Sequence, residues 1–325
     1  MGNGIGISVI IPNYNGAELL INNIPSVIRE LENYPDSEII IVDDASTDNS
    51  LAVVKKYFPA VRILSNAENF GFARSVNNGI KASKSDLVLF LNNDISLDND
   101  FFIHQVPYFR QEDTFGVMGA IKAEESGRIQ EGLKYPYFTF SEIRYKDLDV
   151  PDSHHGHWIP TLYLCGGNAL IDRKKLLELD GLSLRYEPFY NEDLDLSLRA
   201  WMRGWKCYYE PRSSCIHRRS VTIRKYYDER FIHRISRRNR LMLNYLYLDT
   251  RLKRRFLLKF QIKYRLYQIL NRLGIPTSYL SYRDFKMLMP GLKREITGKN
   301  FHGNDNLTMI IGKIKSDIDK ILAQD

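Results

Sequence analysis

The sequence predicts an α/β fold: a mostly parallel, doubly wound sheet that gives way to a basic helical extension. Short apolar runs alternate with amphipathic stretches of about ten residues through the first third of the chain, the pattern of strands joined by crossover helices. Asn and Asp clusters close three of those runs, at the carboxyl ends where such sheets take their ligands. Past His217 long helical periods take over and the charge changes sign.

Each element has a local reason. Ile7 to Ile11 is a strand-like run stopped by Pro12 and the turn residues Asn13 to Gly16. A helix follows, with Asn15 expected as its N-cap and Glu18 in the capping-box position. Glu38 to Val42 is a buried strand ending in Asp43-Asp44, and a helix from about Asp48 to Tyr57 comes next. Val61 to Leu64, Gly71 to Ala82 and Leu87 to Leu91 read as strand, helix and strand, the last closed by Asn92-Asn93-Asp94. From Leu133 to His157 aromatic and polar residues mix and the periodicity weakens. Leu162 to Asp172 reads as a strand around Gly166-Gly167, and Arg173 to Leu179 as a short helix. Glu192 to Arg203 is a helix ended by Gly204, followed by a closing strand from Trp205 to Tyr209. Basic helices are expected over 229–248 and 252–273, broken by Gly274-Ile275-Pro276, with shorter ones over 282–289 and 307–323.

Composition narrows the function. The chain has 325 residues, 44% hydrophobic and 26% charged, an ordinary globular balance that argues against disorder. Three cysteines, none in a C-x-x-C pair, argue against a disulfide framework or a structural zinc and fit a reducing cytoplasm. No apolar run approaches the ~18 residues of a membrane span, and no signal peptide is evident at the start. The net charge of +7 hides a split: residues 1–216 carry −9 and residues 217–325 carry +16. One part therefore faces an anionic partner.

Six blocks carry a family likeness. They are Ser8 to Gly16 (SVIIPNYNG), Ile39 to Ser50 (IIIVDDASTDNS), Asn69 to Ile80 (NFGFARSVNNGI), Leu89 to Ile95 (LFLNNDI), Gly166 to Asp172 (GGNALID) and Asn191 to Asp195 (NEDLD). In this order they resemble family 2 glycosyltransferases, the third block most of all the rhamnosyltransferase-like branch. The resemblance covers roughly residues 5–220. It implies a GT-A, Rossmann-like nucleotide-sugar-binding domain over 1–220, with a donor half to about residue 95 and an acceptor half from 96 to 220. Residues 221–325 form the basic helical region.

The resemblance also distributes roles. Pro12, Tyr14, Asn15 and Asp43 match the positions that hold the nucleoside, where a carboxylate can accept from a uracil or thymine ring N–H. Tyr14 has ordinary packing as its alternative. Asn69, Phe72, Arg74, Asn92 and Asn93 match further nucleotide-sugar positions; Arg74, near a helix start, suits a diphosphate, with a solvated surface arginine as the alternative. Asn92-Asn93-Asp94 stands where the family usually carries D-x-D, so Asp94 is its lone carboxylate. His217 matches the second metal position, and the pair implies a divalent cation, Mn²⁺ or Mg²⁺. Asp193 matches the base that takes the acceptor's proton in an inverting transfer, with a helix cap as the alternative. Glu192, Gly166 and Gly167 support it on the acceptor side. His154, His155 and His157 have no regular metal spacing and read as a polar acceptor-side loop. Cys165 reads as a small buried residue rather than a nucleophile.

The expected activity is inverting transfer of a sugar, hexosyl or rhamnosyl, from a UDP- or dTDP-linked donor to a hydroxyl of a glycan or lipid-linked acceptor. That places the chain in surface polysaccharide synthesis, covering cell wall, capsule and lipopolysaccharide. A sugar nucleotidyltransferase would carry a Gly-rich basic loop after the first strand, and Pro12 to Gly16 has none. A non-catalytic basic scaffold would leave Asp94 and Asp193 without purpose. The stretch Arg251 to Arg272 carries eight Lys or Arg and no acid among its apolar residues. It suits an anionic membrane surface, or else a helix packed on the rest of the chain with a solvated basic face. No nucleic-acid motif accompanies it. The expected location is cytoplasmic and peripheral to the membrane.

Overall fold

The computed structural model describes residues 4–151, 154, 156–218, 226–298 and 307–323. Three strands, β1 (Ile7–Asn13), β2 (Glu38–Asp43) and β3 (Arg62–Ser65), pair in parallel, each separated by a helix: α1 (Ala17–Leu31) and α2 (Ser50–Tyr57). The helix α3 (Phe72–Ala82) crosses back to β4 (Leu87–Leu91), which lies parallel to β1 on its other side. These right-handed crossovers leave the carboxyl ends of β1, β2 and β4 side by side at one rim.

The second half of the sheet was less legible. After β5 (Ile95–Leu97) and α4 (Phe101–Gln105) comes β6 (Thr114–Ala123), then β7 (Ile129–Glu131) paired on β6. A separate antiparallel hairpin, β8 (Leu133–Thr139) and β9 (Glu142–Leu148), occupies the stretch whose periodicity had faded. It reads weakly because its faces mix aromatic and charged residues. The expected strand over 162–172 is shorter: residues 161–167 are irregular, and β11 (Asn168–Asp172) begins only after the Gly166-Gly167 turn. β11 runs antiparallel to both β4 and β6 and joins the two parallel halves. α5 (Arg173–Glu178) and α6 (Glu192–Met202) follow. The closing strand is β12 (Lys206–His217), not a run that stops at Tyr209; register shifts between Glu210 and Ser214 let it bend and continue. With the short β10 (Ile159–Pro160) the order is β10-β12-β6-β11-β4-β1-β2-β3.

Strand alternation sorts the core. Val9, Ile11, Ile39, Ile41, Leu89 and Leu91 meet Leu20, Ile24 and Val27 of α1 on one face. Ile10, Ile40, Val42, Val88 and Phe90 face Val76 and Ile80 of α3 on the other. At about 1.5–3 kcal/mol for each fully buried large apolar side chain, these two layers dominate the stability of the sheet.

The basic region is four helices, α7 (Glu229–Tyr247), α8 (Thr250–Arg272), α9 (Tyr279–Gly298) and α10 (Leu307–Leu322). Asp228 and Asp249 cap α7 and α8 by accepting from Phe231 N and Leu252 N, each at 2.8 Å. α9 runs well past the expected 282–289 because Pro290 is accommodated inside it. Leu241, Leu243, Phe256, Phe285, Ile311 and Ile318 continue the sheet's own apolar cluster. Among the described residues no helix is long and apolar enough to cross a membrane.

Candidate functional site

The site begins with three polar strand ends tied together. Asn13 Nδ2 donates to Asp43 Oδ1 at 3.0 Å, and Asn93 Nδ2 donates to Asn13 Oδ1 at 2.9 Å. Asp43 Oδ2 accepts from Ser46 N at 3.0 Å, so this buried carboxylate is fixed at both oxygens while each keeps a further lone pair. Gly16 sits where any Cβ would collide with the Asn13 and Asn93 amides, which explains the glycine directly after Asn15. Asn15 is not the N-cap. Gly16 holds that position, while Asn15, at φ 51°, accepts from Thr47 N at 2.7 Å and Asp48 N at 3.2 Å. Its side chain thus locks the β1–α1 turn to the β2–α2 loop. Tyr14 is half-buried beside it, its ring 5.2 Å from that of Tyr226, with Pro12 half-buried at the end of β1.

Asp44 does the building work next door. It accepts from Asn66 Nδ2 and Phe70 N through Oδ1 and from Gly71 N through Oδ2, at 2.7–2.9 Å, pinning the loop before α3. Gly71 turns that loop at φ +83°, a conformation L side chains rarely adopt. Asn69 projects exposed from the same loop. Arg74 pairs with Glu187, Nε to Oε1 at 2.6 Å, at the exposed rim. Phe72 turns inward and packs against Gly166.

Asp94 and His217, 123 residues apart, meet because β5 and β12 pair antiparallel with His217 opposite Ile95. His217 Nε2 lies 3.2 Å from Asp94 Oδ2, and its Nδ1 lies 2.7 Å from Gln130 Oε1. The hydrogen bond to Asp94 raises the imidazole's pKa above its ordinary value, against the effect of burial. Asp94 Oδ1 is buried without a hydrogen-bond partner, an oxygen left over for a further ligand. Among the described residues no group of three or more His, Cys, Asp or Glu is placed to hold a metal. A carboxylate with an orphaned oxygen beside an imidazole nonetheless fits the donor set a divalent cation accepts.

Asp193 lies in the first turn of α6. Its Oδ1 accepts from Leu194 N at 2.8 Å and its Oδ2 from Gly166 N at 3.4 Å. Burial raises its pKa while both amides oppose that rise, and the helix N-terminus favours the charged form. Glu192 is buried with Oε2 unpartnered, and burial followed by the Asp193 charge pushes its pKa up to about 8. Glu192 is therefore the neighbour that holds a proton near neutral pH, while two amides favour the charged form of Asp193. Asn92 N donates to Gly167 O at 3.3 Å, joining the end of β4 to the Gly166-Gly167 turn.

What holds α6 in place was not legible as a motif. Asp195 Oδ1 accepts from Tyr186 Oη at 2.9 Å and Tyr247 Oη at 2.7 Å, and Oδ2 from Arg199 Nε at 2.8 Å. Asn239 of α7 donates to the carbonyls of Tyr186, Phe189 and Tyr190 at 2.6–2.9 Å. Both anchors are fully buried, so the helical region fixes the loop that aims Asp193. Facing Asp193 is a wall the sequence did not single out: Lys134, wholly buried and paired with Glu131 and Asp147, with Tyr145 and Tyr163 stacked edge-on at 4.9 Å. No fixed spacing links these residues. His154 is buried, His157 is exposed, and His155 lies outside the described residues. Burial pushes the Cys165 thiol far up, as befits a non-nucleophile.

Known proteins resemble this chain in sequence and in fold. The profile described as Glycosyl transferase family 2 matches residues 8–179, and one described as Glycosyl transferase family group 2 matches 137–300. The poly(ribitol-phosphate) beta-N-acetylglucosaminyltransferase TarP of Staphylococcus aureus (strain N315) is 35% identical over 173 residues, 52% of this chain and 51% of that protein. Chondroitin synthase of Pasteurella multocida (strain Pm70) is 29% identical over 225 residues, 62% of this chain and 23% of that one. The chain thus spans about half of the first relative and less of the second. GalNAc-T7, solved with UDP, GalNAc and Mn²⁺, superposes with a TM-score of 0.63 at 16% identity over 91% of this chain and 58% of that one. The mannosyltransferase PcManGT from Pyrobaculum calidifontis, in complex with GDP-Man and Mn²⁺, gives 0.53 at 17% over 98% and 87%. At these identities the solved structures show a shared fold.

Proposed function

This chain belongs to glycosyl transferase family 2, and on that premise we propose that it is an inverting glycosyltransferase of surface polysaccharide synthesis. The observation that carries the reading is the convergence of the Asp43–Asn13–Asn93 strand ends, the Asp94–His217 pair and, through Gly166-Gly167 at the end of β4, Asp193. The nucleoside of a UDP- or dTDP-linked hexose or rhamnose-type sugar lies against Tyr14, Asn15 and Asp43. Asn69, Phe72, Asn92 and Asn93 border the sugar diphosphate, and Arg74 stands at its outer edge. Asp94 and His217 would hold Mn²⁺ or Mg²⁺, which when bound would supply positive charge against the charge that builds on the leaving group.

The chain's own residues handle the proton. An acceptor hydroxyl over the Gly166-Gly167 turn gives its proton to Asp193 as its oxygen bonds to the anomeric carbon. The bond to the diphosphate breaks on the opposite face, so the configuration inverts. Gly166 N and Leu194 N hold the carboxylate's oxygens and fix its aim. Protonated Glu192 keeps a second negative charge away from the base. The work takes place at the cytoplasmic face of an anionic membrane, on a glycan or lipid-linked acceptor.

A panel of UDP-, dTDP- and GDP-sugars, scored for nucleoside diphosphate release, tests the reading. Asp193→Asn should retain donor binding and lose ~10²-fold or more of turnover. Near-normal turnover by that variant would remove Asp193 from the role.

A further inference from the structure

The turn that delivers Asp193 carries an exposed aromatic surface. Tyr190 and Asn191, directly ahead of α6, take φ values of 73° and 78°, a region that bulky L residues rarely enter. Backbone of this kind persists only where its surroundings impose it, and it gathers at sites that bind or react. Here Asn239 imposes it, donating to the carbonyls of Phe189 and Tyr190, each at 2.9 Å. On the donor side, Pro188 O stands 3.7 Å from the point a Cβ on Gly71 would occupy, so the turn borders the loop before α3. Asp193 follows three residues after Tyr190 and is only half-buried, open to a molecule that lies against the turn.

Phe189 is the floor of this surface. It is buried, and Tyr190 and Tyr227 stand edge-on to it with ring centroids 5.0 and 5.2 Å away. Phe231, in the first turn of α7, stacks on Tyr227 at 5.2 Å. Buried neighbours thus fix both tyrosines, yet Tyr190 and Tyr227 stay 41% and 38% exposed. Tyr226, next in the chain to Tyr227, meets Tyr14 at 5.2 Å, so the aromatic surface runs from the nucleoside side to the base. A pyranose ring has a flat face of C–H bonds rimmed by hydroxyls. A tyrosine ring presents an electron-rich apolar face with a hydroxyl at its edge, the complement of that shape. We propose that Tyr190 and Tyr227 seat a pyranose ring of the acceptor and so hold its hydroxyl toward Asp193. Tyr190 lies on the segment that carries the base, not on the strand ends that close the donor rim, which assigns the ring to the acceptor. The inference rests on the transferase reading and deepens it by naming the residues that select the acceptor. They favour a ring sugar over an open-chain polyol, which has no flat C–H face to stack.

Saturation-transfer NMR tests the seat with the methyl β-pyranosides of glucose, galactose and N-acetylglucosamine against the alditols glucitol and ribitol, with and without UDP. At least one pyranoside should bind more tightly than both alditols, with its ring C–H protons shifted upfield by the tyrosine rings. Tyr190→Leu and Tyr227→Leu should each weaken that binding ~10-fold, whereas Tyr190→Phe and Tyr227→Phe keep the ring face and stay within ~2-fold. Tyr190 is exposed and outside any helix or strand, so its variants decide the matter even if Tyr227→Leu melts early. Equal binding of the alditols, no pyranoside binding by the parent, or parent-like affinity in Tyr190→Leu overturns the proposal. Nucleoside diphosphate release from a donor panel by the unmodified chain reports separately on the transferase reading.

Discussion

Glu192 and Asp193 are adjacent in sequence and burial raises the pKa of both, yet their hydrogen-bond surroundings differ. Asp193 receives two backbone N–H groups, whereas Glu192 ends in a buried oxygen with no donor. The folded chain binds the Glu192 proton with a pKa of about 8, above the ordinary 4.5. Between those values the folded state holds more protons than the unfolded, so stability from this group is full at low pH and falls as pH rises toward 8. Glu192→Gln, which imitates the protonated acid, should therefore melt close to the parent at pH 5 and clearly above it at pH 8.5. Thermal melts at the two pH values check this; a gap that stays constant with pH would show that Glu192 does not titrate in this window.

At the scale of elements, the proposed donor rim is assembled from strand ends that ordinary α/β packing must bring together, but the proposed metal pair of Asp94 and His217 is not. Asp94 follows β4, while His217 ends a bent strand whose irregularity between Glu210 and Ser214 restores its pairing with β6 and sets it beside β5. Removal of divalent ions with EDTA, verified by elemental analysis, should abolish sugar transfer, and Mn²⁺ should restore it. Asp94→Asn should weaken Mn²⁺ binding measured by calorimetry, because it removes the carboxylate with the unpartnered oxygen. Full activity in the stripped protein would mean that Asp94 and His217 serve only each other.

The whole molecule pairs an acidic sheet region with a basic helical one, and their arrangement decides what the charge can reach. Phe256 and Phe260 point inward, the first edge-on to Phe285 and the second stacked on Tyr282, with half-buried Tyr264 beside them, so both phenylalanines are unavailable to lipid. The opposite face of α8 exposes Leu258, Ile262, Leu266, Ile269 and Leu273 at 49–69%, spaced by three or four residues. Exposed Arg254, Arg255, Arg265 and Arg272 flank that stripe. An apolar stripe edged with arginines complements an anionic bilayer, each near-surface cation contributing ~1 kcal/mol within a Debye length of ~8 Å. Co-sedimentation with anionic vesicles should be strong at low salt, weaker at high salt and lost in Ile262→Glu/Ile269→Glu. Equal, negligible binding to anionic and neutral vesicles would remove the membrane role and leave the transferase reading intact.

The sequence by itself determined the parallel half of the sheet, since β1, β2 and β4 are buried on both faces and announce themselves as unbroken apolar runs. It also marked the polar strand ends, because each lies within a few residues of the strand that presents it. It left β6 unread although that strand is buried along most of its length, stopped β12 at Tyr209 just before its bulge, and saw no hairpin in 133–148, where partial exposure blurs the period. Asn15 was marked as a cap because local spacing allows it; its carbonyl oxygen instead serves backbone amides 32 and 33 residues away. Only the tertiary structure set Lys134 and Tyr145 before Asp193, bound α6 to α7 through Asp195 and Tyr247, and gathered Arg144, Arg240 and Lys259 round Glu142. Such contacts join residues with no common period, and packing alone decides which of them meet.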